Sequence, residues 1–356
     1  MVSLNRILLI KLRYIGDVVL STPLLPILAK RFPSASLTFL VNKGTEEVLY
    51  GNPYLEEVLV VPRDHLKSQI DFIRALRRDN FDGVVDLTDG DRSAFLSLMT
   101  GAPLRLGYNR EGRIRGNCYT HVVSSDYGAM HMVDYHAKVL PVLGISDTVE
   151  DPQIFLRPMD EEQGKQLLRS ILPVGRPLVL LYPSARYYFK AWPPERFAVL
   201  ADWLALQGVV VALIGNQREY PLGQQITKLS RSSPVNLMGK TSLGELAGLM
   251  KLSALLIGND GGPLHVAGAV GCPVLGLFGP TDPAVWGVRG EQVSVIYKNV
   301  DCSNCFYPGC QRGEGGCMHR ITIEEVCEKA QDMLSLGKTV QELEPLPCYG
   351  KAGSGA

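Results

Sequence analysis

Short apolar runs alternate with longer amphipathic stretches along the chain. In the first half, Arg6–Leu12 (RILLIKL) is predicted as a strand, followed by a helix over Val18–Arg31 with Pro23 and Pro26 near its start or kinking it. Leu37–Val41, Val58–Val61 and Gly83–Leu87 read as further strands, and Leu66–Arg78 as a helix. After a charged, Pro-bearing stretch, Glu150–Pro177, the rhythm restarts. Strands are predicted at Leu178–Tyr182, Val209–Ile214, Ala254–Ile257 and Val274–Phe278. Helices are predicted at Pro193–Leu206, at Ser242–Lys251 with a Ser242/Glu245 capping box, and at Pro263–Val270. His131–Leu143 is expected to connect the halves, and the late helix Ile323–Leu336 to be free to pack back across the boundary. Fully apolar strands alternating with helices predict parallel sheets covered on both faces. The expected fold class is α/β, with two doubly wound Rossmann-like domains facing across a cleft.

Length and composition agree with two domains. The chain has 356 residues, 46% of them hydrophobic, enough for two cores. The expected division is 1–160 and 161–340, with 341–356 as a flexible tail. Lys plus Arg equals Asp plus Glu at 36 each, which argues against a nucleic-acid partner, where a basic excess is expected. No apolar run is long enough to span a bilayer, and the run at Met1–Ile10 is too short for a signal peptide. A cytoplasmic protein is therefore expected, and its eight cysteines read as thiols or metal ligands rather than disulfides.

In doubly wound folds, ligands sit at the carboxyl ends of the strands, so the residues there carry the candidate chemistry. Tyr14-Ile15-Gly16-Asp17 follows the first strand. Asp17 suits an N-cap and equally a general base facing the crevice. Asn259-Asp260-Gly261-Gly262-Pro263-Leu264-His265 is another strand–turn–helix junction. Its glycines expose backbone N–H groups at a helix start, which suits a diphosphate, although an ordinary turn with a capping histidine reads the same way. Ser184 lies just past a strand and Lys190 just before a helix; a lysine there neutralises phosphate or is simply solvated. Glu219, slightly beyond the strand VVVALI, is placed to accept from ribose hydroxyls or is a surface glutamate. The turn Gly279–Pro283 is given a shaping role only. The P-loop pattern, a GxGxxG after the first strand and a GxSxG elbow are all absent, which disfavours an ATPase, an NAD-dependent dehydrogenase and an α/β-hydrolase.

These residues in this order resemble the lipopolysaccharide heptosyltransferases of glycosyltransferase family nine. The resemblance covers ILLIKLRYIGDVVLSTP from Ile7, then Lys190-Ala191-Trp192-Pro193, then NDGGPLHVAGAVGCPVLGLFGPTDP over Asn259–Pro283. Gly261 stands where the family has a hydroxyl residue, so only its backbone N–H is left to act. The resemblance implies a GT-B fold, with the donor held mainly by the second domain. It implies metal-independent, inverting transfer of heptose from ADP-heptose to an anionic glycolipid acceptor, which entails peripheral contact with the inner membrane surface. Asp17 matches the family's catalytic aspartate, and Ser184, Lys190, Glu219, Asp260, Gly261, Gly262 and His265 fall on the donor side. Two other readings stay open: a transferase of the same fold using another nucleotide sugar, and a non-catalytic nucleotide-sugar-binding protein, which an intact Asp17 disfavours.

Two clusters lie outside these motifs. Arg105, Arg110, Arg113 and Arg115 are opposed locally only by Glu111, and Arg110 and Arg113 are candidates for acceptor binding, with Lys11 and Arg13 as further candidates beside the Gly16-Asp17 turn. Asp89-Gly90-Asp91 is read as turn and cap residues. Cys302, Cys305, Cys310 and Cys317 have a spacing suited to a structural zinc, or are free thiols.

Overall fold

The computed structural model describes residues 4–124, 126–171, 176–302, 305 and 310–334. Among the described residues twelve strands form two sheets, and all of their pairings are parallel. The first sheet holds β1 (Arg6–Lys11), β2 (Ser36–Asn42), β3 (Glu57–Val61), β4 (Gly83–Asp86), β5 (Leu104–Tyr108) and β6 (His121–Val123), in the order β3-β2-β1-β4-β5-β6. The second holds β7 (Leu178–Tyr182), β8 (Val210–Leu213), β9 (Val235–Asn236), β10 (Leu255–Asn259), β11 (Val274–Phe278) and β12 (Val293–Tyr297), in the order β12-β11-β10-β7-β8-β9. Each sheet thus has the doubly wound order, with its switch point between β1 and β4 in the first and between β7 and β10 in the second. The central strands are mostly apolar, and β7, β10 and β11 are buried at every position, as strands covered by helices on both faces must be.

Four strands go beyond the sequence expectation: β5, β6, β9 and β12. Three of them, β6, β9 and β12, border their sheets or are only partly buried, so their apolar signal is weak. The helix expected over Val18–Arg31 is two helices, Ile15–Val19 and Leu24–Arg31, parted at residues 20–23. Pro23 caps the second of these, where its missing N–H leaves no intrahelical bond unmade. The Ser242 N-cap forms, its hydroxyl accepting from the N–H of Glu245 at 3.1 Å. The late helix, Ile323–Leu334 as described, does not turn back to the first half: its buried Val326 and Ala330 join the core of the second, against the helix Pro194–Leu206 and β10. Residues 335–336 of that expectation and the whole 341–356 tail lie outside the described residues.

The two halves are tied together at several points. At the crossing between them, the helix Pro158–Ile171 is fixed to Leu243–Lys251 of the second half so closely that a Cβ on Gly164 would lie 2.4 Å from the Gly248 carbonyl carbon. The Ile154 N–H donates to the Ala269 carbonyl at 2.9 Å, and the Gly244 N–H to Glu47 Oε2 at 2.8 Å. Arg289 pairs with Asp134, and His131 Nε2 lies 2.9 Å from the Gly287 carbonyl. His131 Nδ1 accepts from Val133 N–H, so Nε2 carries the proton and donates across the boundary. Among the described residues no helix is long and apolar enough to cross a membrane.

Candidate active site

The first strand of the first sheet delivers the first group. β1 ends at Lys11, and the chain turns directly into the helix Ile15–Val19. The N-cap of that helix is Tyr14, with no side-chain bond to the helix N–H groups. Asp17 is therefore not a cap. It sits within the first turn, and its carboxylate, 16% exposed, is left to interact elsewhere. Lys11 Nζ lies 3.6 Å from Asp17 Oδ1.

Across the cleft, the helix Gly262–Ala269 starts directly against this turn. A Cβ on Gly16 would stand 2.7 Å from His265 Cδ2, and one on Gly262 would stand 3.2 Å from Ile15 Cβ. Gly16 leaves no room for a Cβ without a shift of the His265 ring, and a Cβ at 262 would be tight, because the two helix starts approach without side chains between them. His265 is 6% exposed, and its Nδ1 is buried without a hydrogen-bond partner. Burial lowers the imidazole's pKa below its ordinary value, while Asp260 and Asp17 act in the opposite direction.

The second half contributes a connected polar set. Ser184 Oγ donates to Glu219 Oε1 at 2.6 Å, and Glu219 Oε2 accepts from the Asn216 N–H at 2.7 Å, closing a capping box. Lys190 Nζ contacts Asp260 Oδ2 at 3.0 Å and Thr281 Oγ1 at 2.5 Å. The loop carrying Lys190 is fixed by Asn259, which is fully buried. Its Oδ1 accepts from Trp192 N–H at 3.0 Å and its Nδ2 donates to the Pro183 carbonyl at 2.8 Å. Ser184, Lys190, Glu219, Asp260, Gly261, Gly262 and His265 thus all lie at the carboxyl ends of β7, β8 and β10, as sequence reasoning placed them. Thr281 and Asn259 were missed as polar contributors. The Gly-Pro-Thr turn signalled shape rather than a hydroxyl, and Asn259 was read only as the opening residue of the glycine-rich junction.

Gly261 has its own steric reason. A Cβ there would meet Tyr182 Cε1 at 2.7 Å and Oη at 3.2 Å. The Tyr182 ring fills the space that a side chain at 261 would take, and burial together with Glu219 raises the phenol's pKa.

The cation candidates of the first half divide. Lys11 is 2% exposed and points inward, so it is not available to an acceptor. Arg113 pairs with Glu111 at 2.5 Å and with Asp91 at 3.5 Å, and Arg110 pairs with Asp89 at 3.1 Å while lying 4.0 Å over the Tyr127 ring. Arg115, itself buried, reaches Asp89 at 2.7 Å and Asp91 at 3.0 Å. Arg105 donates to the Cys118 and Ala102 carbonyls. Asp89 and Asp91 are thus the counter-charges of the cluster as well as turn residues, and they arrive from more than twenty positions upstream. Exposed pairs such as Arg113–Glu111 contribute only about 0–1 kcal/mol each, so the network holds the loop's shape more than its stability. Arg13 remains exposed; it donates to the Thr88 and Asp89 carbonyls, both at 3.2 Å, and makes no ion pair among the described residues. Arg186, from the second half, lies 4.0 Å over the Tyr14 ring at the mouth of the cleft.

Cys317 is buried, and its thiol is pushed up chiefly by that burial, then by the nearby Cys305, Cys310 and Cys302. The four thiols therefore gather in one region. Among the described residues, however, no three His, Cys, Asp or Glu side chains stand ready-made to hold a metal. Residues 303–304 and 306–309 of this loop lie outside the described residues.

Two Rossmann-like domains meet at a cleft, with a carboxylate on one wall and a glycine-rich helix start with a lysine on the other. That arrangement defines a glycosyltransferase of GT-B type. The family model of glycosyltransferase family 9 (heptosyltransferase) matches residues 70–314. Lipopolysaccharide heptosyltransferase 3 of Escherichia coli (strain K12) is 30% identical over 296 residues, spanning 79% of this chain and 85% of that protein. A solved glycosyl transferase family 9 protein from Veillonella parvula DSM 2008 superposes with a TM-score of 0.84 at 26% identity, covering 94% of this chain and 99% of its own. E. coli ADP-heptose lps heptosyltransferase II superposes with a TM-score of 0.79 at 23% identity over 93% of this chain and 98% of its own, a likeness of fold. The chain belongs to glycosyltransferase family 9, and it is a glycosyltransferase.

The Gly16–His265 contact makes closure testable. Gly16→Ala should hold the halves apart, because His265 is walled in and its ring cannot retreat freely. A misplacement of about 1 Å in a transferase site costs on the order of 10²-fold, so kcat/KM should fall by about that factor while ADP binding is kept. The radius of gyration with ADP bound, from small-angle scattering, should rise. Unchanged turnover would mean that the ring yields and the contact constrains nothing.

Proposed function

We propose that the protein transfers heptose from ADP-heptose to the inner core of lipopolysaccharide with inversion at the anomeric carbon, and that Asp17 is the general base. The observation that carries this reading is the juxtaposition of the Asp17 turn with the start of the helix Gly262–Ala269, at van der Waals contact through Gly16 and His265. The names of the relatives, which are lipopolysaccharide and ADP-heptose heptosyltransferases, supply the donor and acceptor class.

The chemistry follows from the placement. The acceptor hydroxyl gives its proton to Asp17 as its oxygen bonds to the anomeric carbon. The bond from that carbon to the diphosphate oxygen breaks, and the electron pair leaves on the diphosphate. The growing negative charge is met by Lys190 and by the Gly261 and Gly262 N–H groups at the helix start. Asp260 and Thr281 hold Lys190 in place, Ser184 and Glu219 take the ribose hydroxyls, and His265 lines the diphosphate side. Acceptor recognition is assigned to residues 1–160 and donor binding to residues 161–340. Of the acceptor cations, Arg13 has no acidic partner to displace, whereas Arg110 and Arg113 must first leave Asp89, Asp91 and Glu111. An anionic glycolipid acceptor places the enzyme at the inner membrane surface as a peripheral, cytoplasmic protein.

The transfer itself needs no cofactor. A structural zinc is assigned to Cys302, Cys305, Cys310 and Cys317, four soft thiols that tetrahedral coordination would draw together; no step of transfer runs through it.

Asp17→Asn should nearly abolish heptosyl transfer, followed by mass spectrometry of the product, while calorimetry finds ADP affinity within about twofold. A matched loss of ADP binding would make Asp17 a structural residue. For the cysteines, elemental analysis should find about one zinc per chain, and its chelation should lower the melting temperature more than the rate. A stable, metal-free preparation would refute the zinc assignment alone.

A further inference from the structure

Lys11 is an ammonium group removed from water, 2% exposed at the end of an otherwise apolar strand. Burying such a charge costs several kcal/mol unless its protons are met. Two of them meet acceptors at hydrogen-bond distance, and a carboxylate stands at ion-pair distance beyond. Nζ lies 2.8 Å from the Leu87 carbonyl, 2.8 Å from His136 Nε2 and 3.6 Å from the Asp17 carboxylate. His136 is in turn fixed at its other nitrogen, with Nδ1 lying 3.1 Å from the Leu20 carbonyl. A carbonyl only accepts, so Nδ1 carries the proton and Nε2 presents its lone pair to the ammonium. Burial, and then Lys11, hold this imidazole's pKa well below its ordinary value. The neutral tautomer is the one that the two contacts require.

The wiring is specific to one direction. Leu20 follows the helix that carries Asp17, Leu87 follows β4 at the switch point, and His136 sits on the helix Met132–Ala137. Three separate segments converge on one nitrogen, and among the described residues the only charged group it faces at ion-pair distance is Asp17. Burial lowers the Lys11 pKa below its ordinary value, Asp17 acts in the opposite direction, and Arg13 and Asp86 act more weakly. On the cleft side, the groups beyond Asp17 are His265, then Asp260 and His131.

We propose that Lys11 and His136 form the positioning unit for the transfer: Lys11 holds the Asp17 carboxylate in place facing the cleft, and His136 acts solely through Lys11. This rests on Asp17 being the general base. Neither residue touches substrate, so both are positioning residues. The sign of the effect follows from charge. Taking away a cation beside a carboxylate disfavours its ionised form, so the carboxylate loses activity to protonation at higher pH.

The test uses the full chain with ADP-heptose and acceptor. Lys11→Met should lower kcat by about 10²-fold, move the acidic limb of the kcat/KM–pH profile upward, and leave the donor's KM and the Kd for ADP within about twofold. His136→Leu should reproduce the upward shift in weaker form. His136→Gln offers an amide oxygen to Lys11 and an N–H to Leu20, and should recover most of the parent rate and profile. A folded Lys11→Met enzyme with an unmoved profile overturns the proposal. So does a His136→Gln enzyme no better than His136→Leu, which also decides the matter if Lys11→Met does not fold. Asp17→Asn run alongside separates the two levels. If that variant still turns over, the general-base reading has failed; if it is inactive while the Lys11 and His136 variants keep the parent profile, only the positioning role has.

Discussion

The site depends on two helix starts meeting with nothing between them. The helix Ile15–Val19 and the helix Gly262–Ala269 come from different sheets, and Gly16 and Gly262 let their first turns touch the opposing backbone and ring. Everything with chemical potential is hung from that contact. Asp17 is the next residue after Gly16, and His265 lies one turn into the facing helix. The doubly wound order brings this about, because β1 and β10 both flank a switch point, where the loops at their carboxyl ends diverge and leave a crevice.

Around that contact the protein spends buried polar groups that would otherwise be a liability. Asn259 uses both ends of its amide to tie the 183–192 loop to β10, and this sets where Lys190 emerges. Lys190 is then held between Asp260 and Thr281. On the other wall, Lys11 is held by Leu87, His136 and Asp17. One lysine is partly open to the cleft and the other is sealed below it. Their burial separates the roles proposed for them: a group that meets phosphate must be reachable, and a group that orients a carboxylate need not be.

Much of this was legible in the sequence. The strands β1, β7, β10 and β11 are continuous apolar runs, and the glycine-rich turns that follow two of them point directly at the cleft. What was not legible depends on partners distant in the chain. The arginines at 105–115 look like an open cationic patch until Asp89 and Asp91 fold against them. Lys11 looks like an acceptor contact until His136, 125 positions away, closes over it. Asp17 looks like an N-cap because it is acidic and near a helix start, but the helix begins earlier, at Ile15, and leaves its side chain unused by the backbone. Gly261 looks like a lost hydroxyl, whereas the Tyr182 ring occupies the space a side chain there would need.

In the proposed reaction Asp17 takes the acceptor's proton and no carboxylate bonds to the sugar, so transfer is a single displacement. The anomeric configuration of the product, read from the one-bond carbon–hydrogen coupling at the transferred sugar's anomeric centre, tests that most directly. The account predicts a configuration opposite to that of the donor. Retention of the donor's configuration would contradict it, because it requires two displacements or a same-face attack that the placement of Asp17 does not support.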